Sequence, residues 1–431
     1  MPEKFDVVVI GAGPAGAAAA ITTAKAGMST LVLERGDFSG AKNMFGGLVF
    51  TKPTAEIIPE FWKTAPMERK IIEYQYWLLS KESHVQVSHR NQKFVKDFNS
   101  FTAFRARFDK WFAGQAESSG ATLLTRTTAT GVLKDSTGKV NGVSTDRGDI
   151  NANVVITCDG ANSLIAKGAG LHREWKPQDM AIAVKETYSL PKDRIEERFN
   201  IRGDEGVALM IYGGREEEYA GFVYTNKDTI SFGLGAIMSD LAKTKSQNMP
   251  MQMLEWLKSH PSVQRLLEGA ALREYTAHLI PEGGYNSIPP LYTDGMMVCG
   301  DAAMLVNALN WEGTNFAMFS GKFAGQTAIA AKKSGSSFSA SQLAGYQTYL
   351  EDSFVLKDLK KFRDVPHFIA SHKHFLTLYP ELMNDLLYKF FEVDGRAKEE
   401  HLKEMKKELY SKRGRLGLIK DAIGLYRKVL S

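Results

Sequence analysis

The chain alternates between unbroken apolar runs, small-residue stretches at helical spacing, and short alternating segments. "FDVVVI" is an apolar run of strand length that stops at Gly11, "GPAGAAAAITTAKAG" then reads as a helix of small residues, and "TLVLE" resumes as a second strand. "ANVVIT" and "GMMVC" read as further buried strands, ending at Asp159-Gly160 and at Gly300-Asp301. In "FRARFDKWFAGQAESSG", Phe108, Trp111, Phe112 and Ala116 recur on one helical face. From about Lys176 to Leu279 the pattern shifts to "MAIAVKETYSL", "GVALMIYGG", "EYAGFVYTN" and "TISFGLGAIM". Their alternation and their β-branched and aromatic content predict an antiparallel sheet. "MLEWLKSHPSVQRLLEG" inserts a helix broken at Pro261.

The expected architecture is α/β. A discontinuous nucleotide-binding domain takes 1–175 and 280–345, an antiparallel-sheet substrate domain takes 176–279, and a helical C-terminal region takes 346–431. In that last region Leu382, Leu386 and Phe390 recur at i+4 steps beside Met383, Leu387 and Phe391. Leu416, Ile419, Ile423, Tyr426 and Leu430 form a second stripe, flanked by Arg415, Lys420, Arg427 and Lys428. A basic amphipathic helix of this kind suits a membrane interface, and equally its own protein or a sister subunit.

Charge sharpens that picture. The 431 residues carry a net +5, but Arg396 to Ser431 hold eleven Lys/Arg against five Asp/Glu, so the tail carries +6 and the rest of the chain sums to −1. A basic tail suggests an acidic partner or an anionic membrane surface. Nucleic acid is not expected, because no recognition motif accompanies the charge. No apolar run reaches about 18 residues and no signal peptide is visible, so no span is expected. Cys158 and Cys299 end predicted strands and read as buried reduced thiols, too few to hold an iron–sulfur cluster. No Ser/His/Asp set, paired catalytic carboxylates or HExxH run points to hydrolysis, and no metal site is expected. The cluster His367, His372 and His374 reads as surface or partner contact.

The chemistry starts at the N-terminus. Gly11 permits a tight turn, Gly13 lets a pyrophosphate approach the backbone, and Gly16 lets the helix pack against the sheet, with Ala15 between them. The phosphates then meet the helix N-terminus. Glu34, closing "TLVLE", is placed to bind adenosine ribose hydroxyls and to repel a 2′-phosphate. The motif alone leaves FAD and NAD open. Asp301 chooses FAD if its strand joins the same parallel sheet, because a ribitol chain offers a hydroxyl to that carboxylate. Taken alone, the same residue also reads as an N-cap or an Asx turn. A helix after Gly313, with Asn315 in its first turn, then aims its dipole at the flavin. Arg105, with Arg107 as local rival, is placed for a phosphate.

"GAGPAG", "LER", "FRARFD", "CDGANS" and "VCGDAA" together resemble the glutathione-reductase-type FAD-binding Rossmann fold of the geranylgeranyl reductase and flavoprotein dehydrogenase superfamily. "SGAKNMFGGLVF", "YTNKDTISFGLG" and "YLEDSFVLKDLKKFRDVPHF" are similar to the FixC (EtfC) proteins, relatives of electron transfer flavoprotein–quinone oxidoreductase. That resemblance covers nearly the whole chain. It implies FAD contacts at Gly11, Gly13, Gly16, Glu34, Arg35, Arg105, Gly300 and Asp301, and a loop near the isoalloxazine at Lys42, Asn43, Gly46 and Gly47. It further implies a ferredoxin-like [4Fe–4S] subunit and the alpha and beta subunits of an electron transfer flavoprotein as partners, with electron bifurcation and reduction of quinone, menaquinone by expectation. The work would be done peripherally on the cytoplasmic side of the membrane. The YxWxFP motif of prenyl reductases is missing from "YAGFVYTNKDTISFGLG", which lowers geranylgeranyl reduction; a non-catalytic flavin-bearing docking subunit is the other alternative.

Overall fold

A computed structural model describes residues 4–41, 47–172, 174–215, 219–243, 249–307 and 309–430. Two sheets organise it. The first runs, in spatial order, Tyr292–Thr293, Met296–Val298, Gly148–Thr157, Lys4–Ile10, Thr30–Leu33 and Thr122–Leu124. All neighbours along it are parallel except the first pair, and Ala129–Lys134 and Val140–Thr145 extend it antiparallel from Gly148–Thr157. Register aligns Leu31, Val8, Val155 and Met296 across four strands, each fully buried. Burial on both faces is why these strands read as unbroken apolar runs.

The helix Pro14–Lys25 returns the chain to the sheet, and the helix Thr314–Lys333 packs against it through small residues. A Cβ on Gly321 would stand 1.9 Å from the Ala15 carbonyl oxygen, so only glycine admits this approach.

The second sheet runs Ala271–Pro281, Met180–Ser189, Thr229–Ile237, Ala220–Thr225, Glu205–Gly213, Met67–Leu79, Ser100–Ala103 and Leu48–Phe50. It departs from expectation twice. One pair, Glu205–Gly213 with Met67–Leu79, is parallel. The sheet also does not begin at 176, because strands between Leu48 and Ala103 complete it. The physical reason is Arg69, a fully buried side chain whose guanidinium donates to the carbonyls of Asn226 (2.6 Å), Gly203, Glu205 and Lys227. A guanidinium's fork of donors saturates four carbonyls that would otherwise be orphaned, and so stitches the early strands to the later ones.

The break at Pro261 falls as expected: Met249–Ser259 stops, and His260 caps Pro261–Leu267 by accepting from the Ser262 N–H. Helices fill the C-terminal region. Tyr346 is fully buried and donates to the Val298 carbonyl at 2.9 Å, anchoring it to the first sheet. The Asn384 amide, on the helix Leu378–Phe391, donates to the Leu78 carbonyl at 3.0 Å and anchors it to the second.

Candidate functional site

The carboxyl ends of the parallel strands open on a cavity of about 860 Å³, which continues along one face of the second sheet. That volume suits a large organic ligand. Gly11 has φ +94°, and a Cβ there would lie 2.4 Å from the Cys158 carbonyl oxygen. A Cβ on Gly13 would meet nothing within 4 Å, because that side of the turn faces the cavity. Gly13, Pro14 and Ala15 line the cavity, and the first intrahelical bond is Ala17 N–H to the Gly13 carbonyl. The N–H groups of Ala15 and Gly16 are therefore left to a ligand.

Glu34 is buried, and its carboxylate accepts from the N–H groups of Ala12 (3.1 Å) and Gly36 (2.6 Å). These bonds hold it beside the glycine turn and leave further acceptor capacity. Arg35 is exposed, yet close enough for its charge to act on His278 in the cavity wall.

Asp301 is where the sequence pattern expects it. Met296–Val298 pairs in parallel with Gly148–Thr157, which pairs with Lys4–Ile10, so the one-turn helix Gly300–Ala303 sits against the glycine turn. A Cβ on Gly300 would lie 3.1 Å from the Ala15 Cβ. The carboxyl of Asp301 lines the cavity and makes neither a capping nor an Asx-type bond, which removes the local readings. Burial raises its pKa, opposed by the nearby charges of His278 and Arg105.

Arg105 begins the helix Arg105–Ser118, and its guanidinium grips Asp109 one turn on at 2.7 and 2.8 Å. It lines the cavity, whereas Arg107 is largely exposed and faces Glu68 at 3.6 Å. Gly47 lines the cavity with its α-carbon against the Tyr224 ring, while Lys42, Asn43 and Gly46 lie outside the described residues. The helix Thr314–Lys333 points its N-terminus inward from Gly313 with no side-chain cap. The amide of Asn315 donates to Glu312 at 3.0 Å, and its buried carbonyl oxygen has no partner among the described residues. Cys158 and Cys299, at adjoining strand ends, are free thiols, and burial pushes the Cys158 thiol up. The histidine cluster divides: His374 bonds Asp421 at 3.1 Å, whereas His367 stands at the cavity rim.

Sequence reasoning missed two residues that line this cavity, His278 and Glu282, and a third beside it, Lys185. Lys185 is buried beside the Phe104 ring, with Arg105 and Glu274 acting on it. Its signal was a lysine inside the apolar run "MAIAVKETYSL". His278 stands opposite Asp301, with burial lowering its pKa; one histidine in an alternating strand carries no comparable signal.

These features fit FAD. Two helix N-termini with free N–H groups, an open glycine edge and a carboxylate without a hydrogen-bond donor among the described residues match a pyrophosphate, a flavin edge and a ribitol hydroxyl. The fold and site define an FAD-dependent oxidoreductase, and a family model of that description, "FAD dependent oxidoreductase", matches residues 6–232. A second, "ETF-QO/FixC family C-terminal domain", matches residues 365–430.

Protein FixC of Azorhizobium caulinodans is 44% identical, with 99% of each chain covered. The probable electron transfer flavoprotein-quinone oxidoreductase YdiS of Escherichia coli is 38% identical over 98% of each. Among solved structures, a geranylgeranyl bacteriochlorophyll reductase-like protein from Thermoplasma acidophilum superimposes with TM-score 0.74 at 20% identity, covering 95% of this chain and 99% of that one, a likeness of fold. The chain belongs to the ETF-QO/FixC family.

Proposed function

We propose that this chain is the FAD-containing subunit of an electron-bifurcating electron transfer flavoprotein complex and that it reduces quinone, menaquinone in particular, at the cytoplasmic face of the membrane. Bound FAD supplies the two-electron redox chemistry. The observation that carries the reading is the continuity of one cavity, from the Gly13–Asp301 end to an aromatic end lined by Tyr212, Phe222, Tyr224 and Trp311. There Phe222 and Tyr224 stack at 5.1 Å and Trp311 meets Phe222 edge-on, a surface suited to a planar ring. Near full-length likeness to FixC proteins and to YdiS supports the same reading.

The partners proposed with it are a ferredoxin-like [4Fe–4S] subunit as donor and the alpha and beta electron transfer flavoprotein subunits upstream, a reading supported by the near full-length likeness to FixC proteins. Cys158 and Cys299 are free thiols at adjoining strand ends, too few to hold a cluster themselves. Membrane contact is supported by placement. Val365, Pro366, Ile369 and Ala370 form part of the cavity wall, and the same C-terminal region leaves Leu416, Ile419, Ile423 and Tyr426 exposed beside basic residues. A lipid-partitioned quinone would then enter where the protein meets the bilayer.

The test is anaerobic. The FAD-loaded chain is reduced with dithionite and mixed with menadione, and return of the oxidised flavin spectrum is expected. A reduced spectrum that menadione leaves unchanged overturns the reading. Saturation of a geranylgeranyl chain instead would assign the protein to prenyl-lipid reduction. Co-purification with three companion polypeptides and an iron signal is the result expected for the complex.

A further inference from the structure

The strand Ala271–Pro281 forms one wall of the cavity, and its alternate positions His278, Ile280 and, just past its end, Glu282 face inward. Four residues of extended chain span about 13 Å, so this wall leads from the Asp301 end towards the aromatic end. The Glu282 N–H is fixed to the Asp179 carbonyl at 2.8 Å, which sets the backbone. Its carboxyl has no hydrogen-bond or ion-pair partner among the described residues and lies near Tyr212. An unpaired carboxyl facing a largely apolar cavity is costly as an anion. Here burial alone pushes its pKa up to about 8, so it is a neutral acid at neutral pH.

The other ionisable groups of the cavity are less suited to give a proton. His278, on the same wall, faces Asp301 and Arg105, and burial favours its neutral form. Asp179, on the turn before Met180–Ser189, has its pKa raised by burial, with Lys176 opposing. Asp240, ending the Met238–Leu241 side of the cavity, is paired with Lys243 at 2.7 Å and Lys373 at 3.2 Å and stays ionised. Burial drives Tyr212, Tyr219 and Tyr224 well above the ordinary phenol range. Arg363 and His367 stand on the C-terminal side of the cavity.

We propose that Glu282 is the proton donor to quinone in this cavity, which rests on the quinone-reducing reading above. Bound reduced FAD would supply two electrons and one proton. The second proton leaves the Glu282 carboxyl oxygen as its O–H bond breaks and a quinol O–H bond forms. The carboxylate then regains a proton from water at the cavity mouth.

The FAD-loaded full chain tests this through E282Q, a substitution that removes the acid without removing a bond. Reoxidation of the dithionite-reduced protein by menadione should slow by about 100-fold, the scale of general acid catalysis. Reoxidation by ferricenium, an acceptor that takes up no proton, should be unchanged. The wild-type menadione rate should fall as pH rises through about 8, where the acid is lost, and E282Q should show no such fall.

Stability provides a readout independent of turnover. A folded-state pKa raised from 4.5 to about 8 means the folded wild type holds the extra proton across that window, so its stability falls as pH rises. The Tm advantage of E282Q should therefore grow across the same window. A wild type reoxidised by menadione beside an equally fast E282Q, or a Tm difference flat with pH, overturns the assignment alone. A wild-type flavin that menadione leaves reduced overturns the quinone reading and this proposal with it.

Discussion

Asp301 is a half-buried carboxylate facing the cavity without a hydrogen-bond donor among the described residues, a costly arrangement unless a ligand hydroxyl completes it. Asp301→Ala should weaken FAD binding about 10- to 100-fold, the effect of losing one hydrogen bond to a charged group. Titration of the apoprotein with FAD, followed by flavin fluorescence, measures it, and unchanged affinity would remove Asp301 from the site. Because burial raises the Asp301 pKa, FAD retention in the wild type should begin to fail at a higher pH on acidification than an exposed aspartate would give. At this scale the glycine turn, Glu34 and Asp301 were legible from residue type and position. Lys185, His278 and Glu282 were not, because each matters through neighbours far away in the chain.

At the scale of elements, the site depends on how closely the helices Pro14–Lys25 and Thr314–Lys333 approach. Gly321→Ala would place a methyl 1.9 Å from the Ala15 carbonyl, so the helices must separate. The expected cost is about 1–3 kcal/mol, read from denaturant unfolding, and FAD affinity should fall with it because Ala15 belongs to the glycine turn. The opening strand, helix and second strand matched their sequence pattern, since each is local and buried on both sides. The second sheet was only half legible. "MERKIIEYQYWLL" joins it by parallel pairing with Glu205–Gly213, held further by the Arg69 guanidinium on carbonyls between 203 and 227, and no local periodicity encodes either.

The whole molecule presents an uncovered apolar surface. On the helix Arg415–Leu425, Leu416 is 75% exposed and Ile419 55%. An apolar surface of this kind marks an interaction site. Leu416→Glu with Ile419→Glu should leave folding within about 0.5 kcal/mol, because both side chains already face water. The pair should abolish co-sedimentation with anionic phospholipid vesicles, and retention on the vesicles would exclude the stripe as the contact. The basic tail should make that binding weaken with added salt, as screening requires. The stripe was visible in the sequence from its spacing, but its exposure was not. Amphipathic helices show the same pattern whether they pack inward or outward, and only the surrounding surface distinguishes the two.

The sequence by itself determined a nucleotide-binding strand–turn–helix, a carboxylate at the mouth of a later strand, and a basic helical tail. Each is set by backbone geometry or periodicity within a few residues. The tertiary structure alone decided that Asp301 lies against the Gly11–Gly16 turn, that early strands complete the second sheet, and that Glu282 faces the same cavity. Those facts come from parallel pairing and burial between residues hundreds of positions apart, where the environment rather than the residue type sets the chemistry.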